Sequence, residues 1–177
     1  MVEILRLIGN YRTRRAIRGS PLLDELFRRL ARCVRGEAAE TEDRIWDVWM
    51  HHPHHAAAQA LELATRDIAA RRFDIAETRL TLLLRSVPNF AEAWHKRAVL
   101  YYLLGRDDEC LHDLRRTLEL EPRHFGAMLH FVELLRAARA AAEAGFALRA
   151  ARSIHPHLSI PDGGAPAGSG DGNAAQL

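Results

Sequence analysis

Proline returns at a nearly fixed interval through most of this chain, and that interval limits what it can fold into more than any other feature. Pro53, Pro88, Pro122 and Pro156 are separated by 35, 34 and 34 residues. Other tracks keep the same step: Leu80, Leu114 and Leu148; the small residues Ala76, Cys110 and Ala144; and Ala64, Ala98 and Val132. Coincident tracks at one period mark an internal repeat, in which each unit buries its apolar face against its neighbours.

Within a unit the pattern is that of two helices. Ala91 to Leu104 sets Trp94, Ala98 and Tyr101 on one face at helical steps of four and three. Gly105 tolerates left-handed backbone and ends that helix. Asp107, Asp108 and Glu109 put negative charge beside the unpaired N–H groups of a second helix. Cys110, Leu114 and Leu118 carry its apolar stripe towards Pro122. The small residues Ala98 and Cys110 predict a close approach of the two helices.

These positions resemble the tetratricopeptide repeat (TPR), which carries Trp, a small residue, Tyr and Gly along the first helix, then a small residue, a large one and Pro along the second. The middle unit matches at Trp94, Ala98, Tyr101, Gly105, Cys110, Leu114 and Pro122. The flanking units match at Ala64, Ala76, Leu80 and Pro88, and at Ala144, Leu148 and Pro156. The segments PNFAEAWHKRA (88–98) and LELEPRHFGA (118–127) look like those of small bacterial TPR proteins. The resemblance implies an all-α fold: a right-handed TPR solenoid of three repeats (57–90, 91–124, 125–158) preceded by a degenerate helical-hairpin cap.

The cap is expected over 21–56. Ser20-Pro21 reads as an N-cap and first helical residue, Leu23, Leu26, Phe27 and Leu30 form one apolar stripe, and Ile45, Trp46 and Trp49 form another. Such a pair is expected to cover the open end of the array. Residues 1–20 read as a basic arm, partly disordered, of which only Ile4, Leu5, Leu7 and Ile8 could pack. Residues 159–177 form a Gly/Ala/Pro tail too poor in apolar surface to order itself.

Bulk composition narrows the function classes. No apolar run approaches the roughly 18 residues that span a bilayer, and 25 basic against 23 acidic residues leave a net charge of +2, which calls for no polyanion. Cys33 and Cys110 are too few for a disulfide scaffold. As written, the chain lacks a secretory core in its first 20 residues and is expected in the cytoplasm; export from a start further upstream is the alternative.

A TPR array presents its first helices along a concave groove. The register places Ala58, Leu61, Thr65 and Ile68 there in the first repeat, Glu92, His95, Val99 and Tyr102 in the second, and Gly126, Leu129, Glu133 and Arg136 in the third. Leu61, Val99 and Leu129 give the surface an apolar centre with polar edges, suited to a partner peptide or helix. Chaperone-binding TPR proteins grip a carboxylate with Lys and Asn at positions held here by Leu61, Thr65 and Gly126, so no chaperone clamp is expected. The expected role is a non-catalytic interaction module or adaptor with no cofactor; its partner's identity and any self-association are open.

Other features of the sequence compete with this role. The alternative function docks the Arg-rich arm (Arg6, Arg12, Arg14, Arg15, Arg18) on nucleic acid or an anionic membrane surface. The run His51-His52-Pro53-His54-His55 offers imidazole ligands but reads as an inter-helix loop, and no metal is assigned to it. Trp46, Trp49 and Trp94 read as core. Arg97 and Asp113 are expected to form a partly buried clamp between the two helices of the middle repeat.

Overall fold

A computed structural model describes residues 1–11 and 20–158, except for the side chain of Arg35. Among the described residues the regular structure is all helix, with no strands. Their helices are α1 (Val2–Gly9), α2 (Pro21–Leu30), α3 (Arg35–Met50), α4 (His55–Ala69), α5 (Phe73–Ser86), α6 (Ala91–Leu103), α7 (Asp107–Leu120), α8 (Phe125–Ala137) and α9 (Ala141–Ile154).

Three hairpins carry the period: α4 packs on α5, α6 on α7 and α8 on α9. The small residues stand where the paired helices meet, and Ala64, Ala76, Ala98, Cys110, Val132 and Ala144 are all buried. The hairpin turns repeat as well. Gly105 ends α6 at φ 68°, and its counterparts 34 residues away on either side, Arg71 and Arg139, both hold φ 57°. Glycine takes that geometry freely, whereas each arginine carries strain of roughly 1 kcal/mol or more. The first helices α4, α6 and α8 also touch one another in sequence, forming one layer.

In the middle hairpin the expected clamp is present. Arg97 Nε donates to Asp113 Oδ2 at 2.6 Å and Nη2 to Oδ1 at 3.0 Å, a two-pronged bond between α6 and α7. Arg97 Nη1 reaches Thr81 of α5 at 3.3 Å, so the same guanidinium also joins neighbouring hairpins. Burial pushes the Asp113 carboxyl up, and Arg97 pulls it back. The Arg97 guanidinium lies 4.9 Å above the Trp94 ring, and Trp94 Nε1 donates to the Pro88 carbonyl at 2.8 Å. Trp94 is thus half-buried at a hairpin junction, unlike the core indoles Trp46 and Trp49.

The non-repeating helices dock on this frame. Ser20 caps α2 by accepting from the Leu23 N–H, with Pro21 as first helical residue. Helix α1 buries Ile4 and Ile8 and packs on α7 and α9. Helices α2 and α3 pair with each other, but their position differs from the expected cap. They cross the layer of first helices and reach its far end, where His155 Nε2 meets Glu42 at 2.9 Å and His157 Nε2 donates to the Cys33 carbonyl at 2.9 Å. The cause is aromatic. Phe27, Trp46 and Trp49 find ring partners in His95, His124 and Phe125, whereas the outer face of α4 offers Ala56, Ala57 and Ala60.

Candidate partner-binding surface

The groove positions read from the register divide into two sets. Leu61, Ile68, Glu92, His95, Val99 and Gly126 are buried, while Ala58, Thr65, Tyr102, Leu129 and Glu133 are half-buried and Arg136 is exposed. Helix α3 covers part of the first set. The Trp46 indole stacks on His95 with ring centres 5.9 Å apart and planes 24° apart. It enters a slot that only glycine leaves open: a Cβ on Gly126 would lie 2.5 Å from Trp46 Cη2 and 3.2 Å from His95 Cε1. One turn on, Trp49 lies flat on His124 at 4.0 Å and 8°.

Beneath the indoles sits a buried polar knot. His124 Nδ1 accepts from the Ala127 N–H at the start of α8, which leaves Nε2 protonated to donate to Glu92 Oε2 at 2.8 Å. His95 Nδ1 faces Glu92 Oε1 at 3.4 Å, and His95 Nε2 meets His130 Nδ1 at 3.3 Å, whose proton is shared with the Gly126 carbonyl at 3.0 Å. The Lys96 ammonium, 1% exposed, stands 3.4 Å from the same Glu92 oxygen. Burial alone would push the Glu92 carboxyl up, but His95, Lys96 and the His124 hydrogen bond hold it well below the usual carboxylate range. Burial drives His95 the other way, down to about 3.

Glu92, His95 and His124 bring donor atoms within 4.8 Å of one another, the spacing of a metal trio. Their chemistry points to another use. A cation at His124 Nε2 would displace the proton that its backbone bond requires, and Lys96 already supplies the charge that Glu92 needs. The knot is a buried ion pair whose lone pairs are filled by imidazoles, and it forms the floor on which α3 rests.

The second set of groove residues borders what α3 leaves open. A cleft of about 230 Å³ lies among Glu42, Trp46, Gly126, Leu129, His130 and Leu158. The Tyr102 ring stands 6.0 Å from His130, and Glu133 accepts from Arg136 at 2.8 Å on the same first-helix face. Thr65, half-buried like Ala58, donates to the Leu61 carbonyl one turn back in α4 at 3.0 Å. The strip beside the cleft is Tyr102, Leu129, Glu133 and Arg136.

The remaining candidates fall elsewhere. His52 is buried with its ring 4.8 Å from Phe90, and its Nδ1 accepts from the His54 N–H; His51, His54 and His55 are exposed. Burial pushes the Cys110 thiol up to about 12, so it is a packing residue and not a thiolate. Arg6 is exposed on α1, while Arg12, Arg14, Arg15 and Arg18 lie outside the described residues. Among the described residues no helix is long and apolar enough to cross a membrane.

Paired helices at a 34-residue period, with small residues at each crossing and their first helices in one layer, define a TPR-like all-helical repeat protein. Comparison with known proteins agrees. The chain is 28% identical over 114 residues to a TPR repeat-containing protein of Rhizobium etli, an alignment covering 64% of this chain and 56% of that one. The chain thus matches little more than half the length of that relative. No family model matches, and no solved structure matches.

Proposed function

We propose that this chain is a non-catalytic protein-interaction module that holds a peptide or helix of a partner protein on the strip of first-helix surface beside α3. The carrying observation is the cleft next to Tyr102, Leu129, Glu133 and Arg136. At about 230 Å³ it is smaller than the roughly 300–1,000 Å³ of small-molecule sites, and it suits one anchoring side chain. Leu129, Trp46 and Leu158 supply apolar walls for that anchor, and the Glu133–Arg136 pair further along α8 offers polar contacts to the rest of a bound segment. The buried groove positions Leu61, Glu92, His95 and Val99 then act from below, holding α3 and the helix layer in place.

A displayed library of random peptides selected on the intact chain tests this reading. Selected peptides should share an apolar anchor, and a Tyr102→Ala/Arg136→Glu variant, altered only at accessible positions, should lose at least ten-fold in affinity for them. Peptides that bind the variant equally well would place the interaction on another face.

A further inference from the structure

The outer face of the first hairpin carries an apolar trench of about 750 Å³, between Ala56, Ala57 and Ala60 of α4 and Ile75, Thr78, Leu82 and Leu83 of α5. Its origin is legible one period away. Ala56, Ala60 and Leu82 stand where the middle hairpin has Phe90, Trp94 and Arg116, and there Arg116 lies over the Trp94 ring at 5.6 Å. Removing that volume opens the trench, and the ridge beside it is apolar: Ile75 is 49% and Leu82 56% exposed, where α7 has Glu109 and Arg116. The opposite side of α5 is already used, since Glu77 takes Arg106 and Tyr101, and Thr81 takes Arg97.

We propose that a second copy of this chain covers this face, with the two α5 helices packed antiparallel about a twofold axis near Thr78 and Arg79. Two features select a second copy over an unrelated helix. First, the face is self-complementary in shape: a ridge at Ile75 and Leu82 runs beside a floor of alanines, so each copy's ridge fills the other's trench. An antiparallel crossing centred between Thr78 and Arg79 brings Ile75 of one copy level with Leu82 of the other, so that each ridge lies along the other copy's alanine floor. Second, the charges are complementary under the same operation. Asp74 lies near the start of α5 and Arg85 near its end, both exposed, so antiparallel pairing brings each acid towards the other copy's base.

The test is the molar mass of the intact, untagged chain by light scattering during size-exclusion chromatography, from about 1 to 100 µM. The wild type should run at twice the 20.0 kDa of one chain. Leu82→Glu and Ile75→Glu change exposed side chains, so both should keep wild-type helical circular dichroism and run as monomers. Asp74→Arg and Arg85→Asp should each weaken the dimer at least ten-fold, and the double variant should regain most of that. In a Cys33→Ser background, Thr78→Cys should oxidise to a disulfide-linked dimer. A wild type monomeric throughout the range overturns the proposal, and so does a dimer that survives Leu82→Glu, which would put the interface on another surface. Peptide binding by the Leu82→Glu monomer separates this contact from the strip proposed above.

Discussion

Lowering the pH from 7 to 5 should make this protein easier to unfold, and His95, whose neighbour His130 is pushed down in the same way, supplies a part of the effect that can be measured separately. Its imidazole is fully buried, and burial pushes its pKa down to about 3 even though Glu92 pulls it the other way. In the unfolded chain the same ring takes up a proton at about pH 6.5, the usual histidine value. A group whose folded pKa is depressed gives stability above its unfolded value and loses it as pH falls. The window therefore runs from about 6.5 down to about 3.

Between pH 7 and 5 the unfolded chain gains nearly one proton at this position that the folded chain refuses. Integrated at about 1.4 kcal/mol per pH unit, the loss is about 2 kcal/mol. That is a sizeable part of the roughly 5–15 kcal/mol that holds a typical domain together. Glu92 shifts in the same direction, but an unfolded glutamate titrates near pH 4.3, roughly, and so contributes little above pH 5. Urea unfolding followed by tryptophan fluorescence at the two pH values measures the loss, with His95→Gln as the reference, since an amide can still donate to Glu92. Wild type should lose about 2 kcal/mol more than the variant over this interval. An equal loss in both would show that the ring is not kept neutral by burial, and would undo the account of the polar knot.

Two further outcomes follow from the packing. Gly126→Ala should destabilise by about 1–3 kcal/mol, because the new methyl meets the Trp46 indole and the His95 ring, and pairing it with Trp46→Phe should cost less than the two changes summed, as read from urea midpoints. Arg97→Met should cost about 3–5 kcal/mol by leaving Asp113 buried without its partner, while Arg97→Met/Asp113→Leu should recover most of that; a neutral Arg97→Met would show that no clamp is required.

The repeat frame was legible because periodicity reports helix faces directly. The hairpin crossings at Ala64 and Ala76, Ala98 and Cys110, and Val132 and Ala144 all stand in the sequence at fixed intervals and are all buried. The groove was legible only as a register. His95 and Tyr102 share one first-helix face, but nothing in a 34-residue pattern says that α3 covers the former and leaves the latter half open. A pattern of repeats carries no information about where a segment outside the pattern will lie.

The departures from the period do carry some. At the fifth position of the repeats that start at 57, 91 and 125 the chain holds Leu61, His95 and Leu129, and at the second it holds Ala58, Glu92 and Gly126. An acid and an imidazole replacing apolar residues in the middle unit, next to a glycine in the following one, make little sense on an empty face. A buried carboxylate needs donors, and an exposed helical glycine costs about 1 kcal/mol against alanine for no return. Both make sense under a bulky aromatic cover: Gly126 makes room for the Trp46 ring, and His95 offers that ring a flat partner while bonding Glu92 on its edge. The same logic reads the first hairpin in reverse. Where the middle unit has Phe90, Trp94 and Arg116, the first unit has Ala56, Ala60 and Leu82, and a vacancy bordered by exposed Ile75 and Leu82 marks a face that expects to be covered. In a repeat array, shared positions build the frame, and the unshared ones show where something else lands on it.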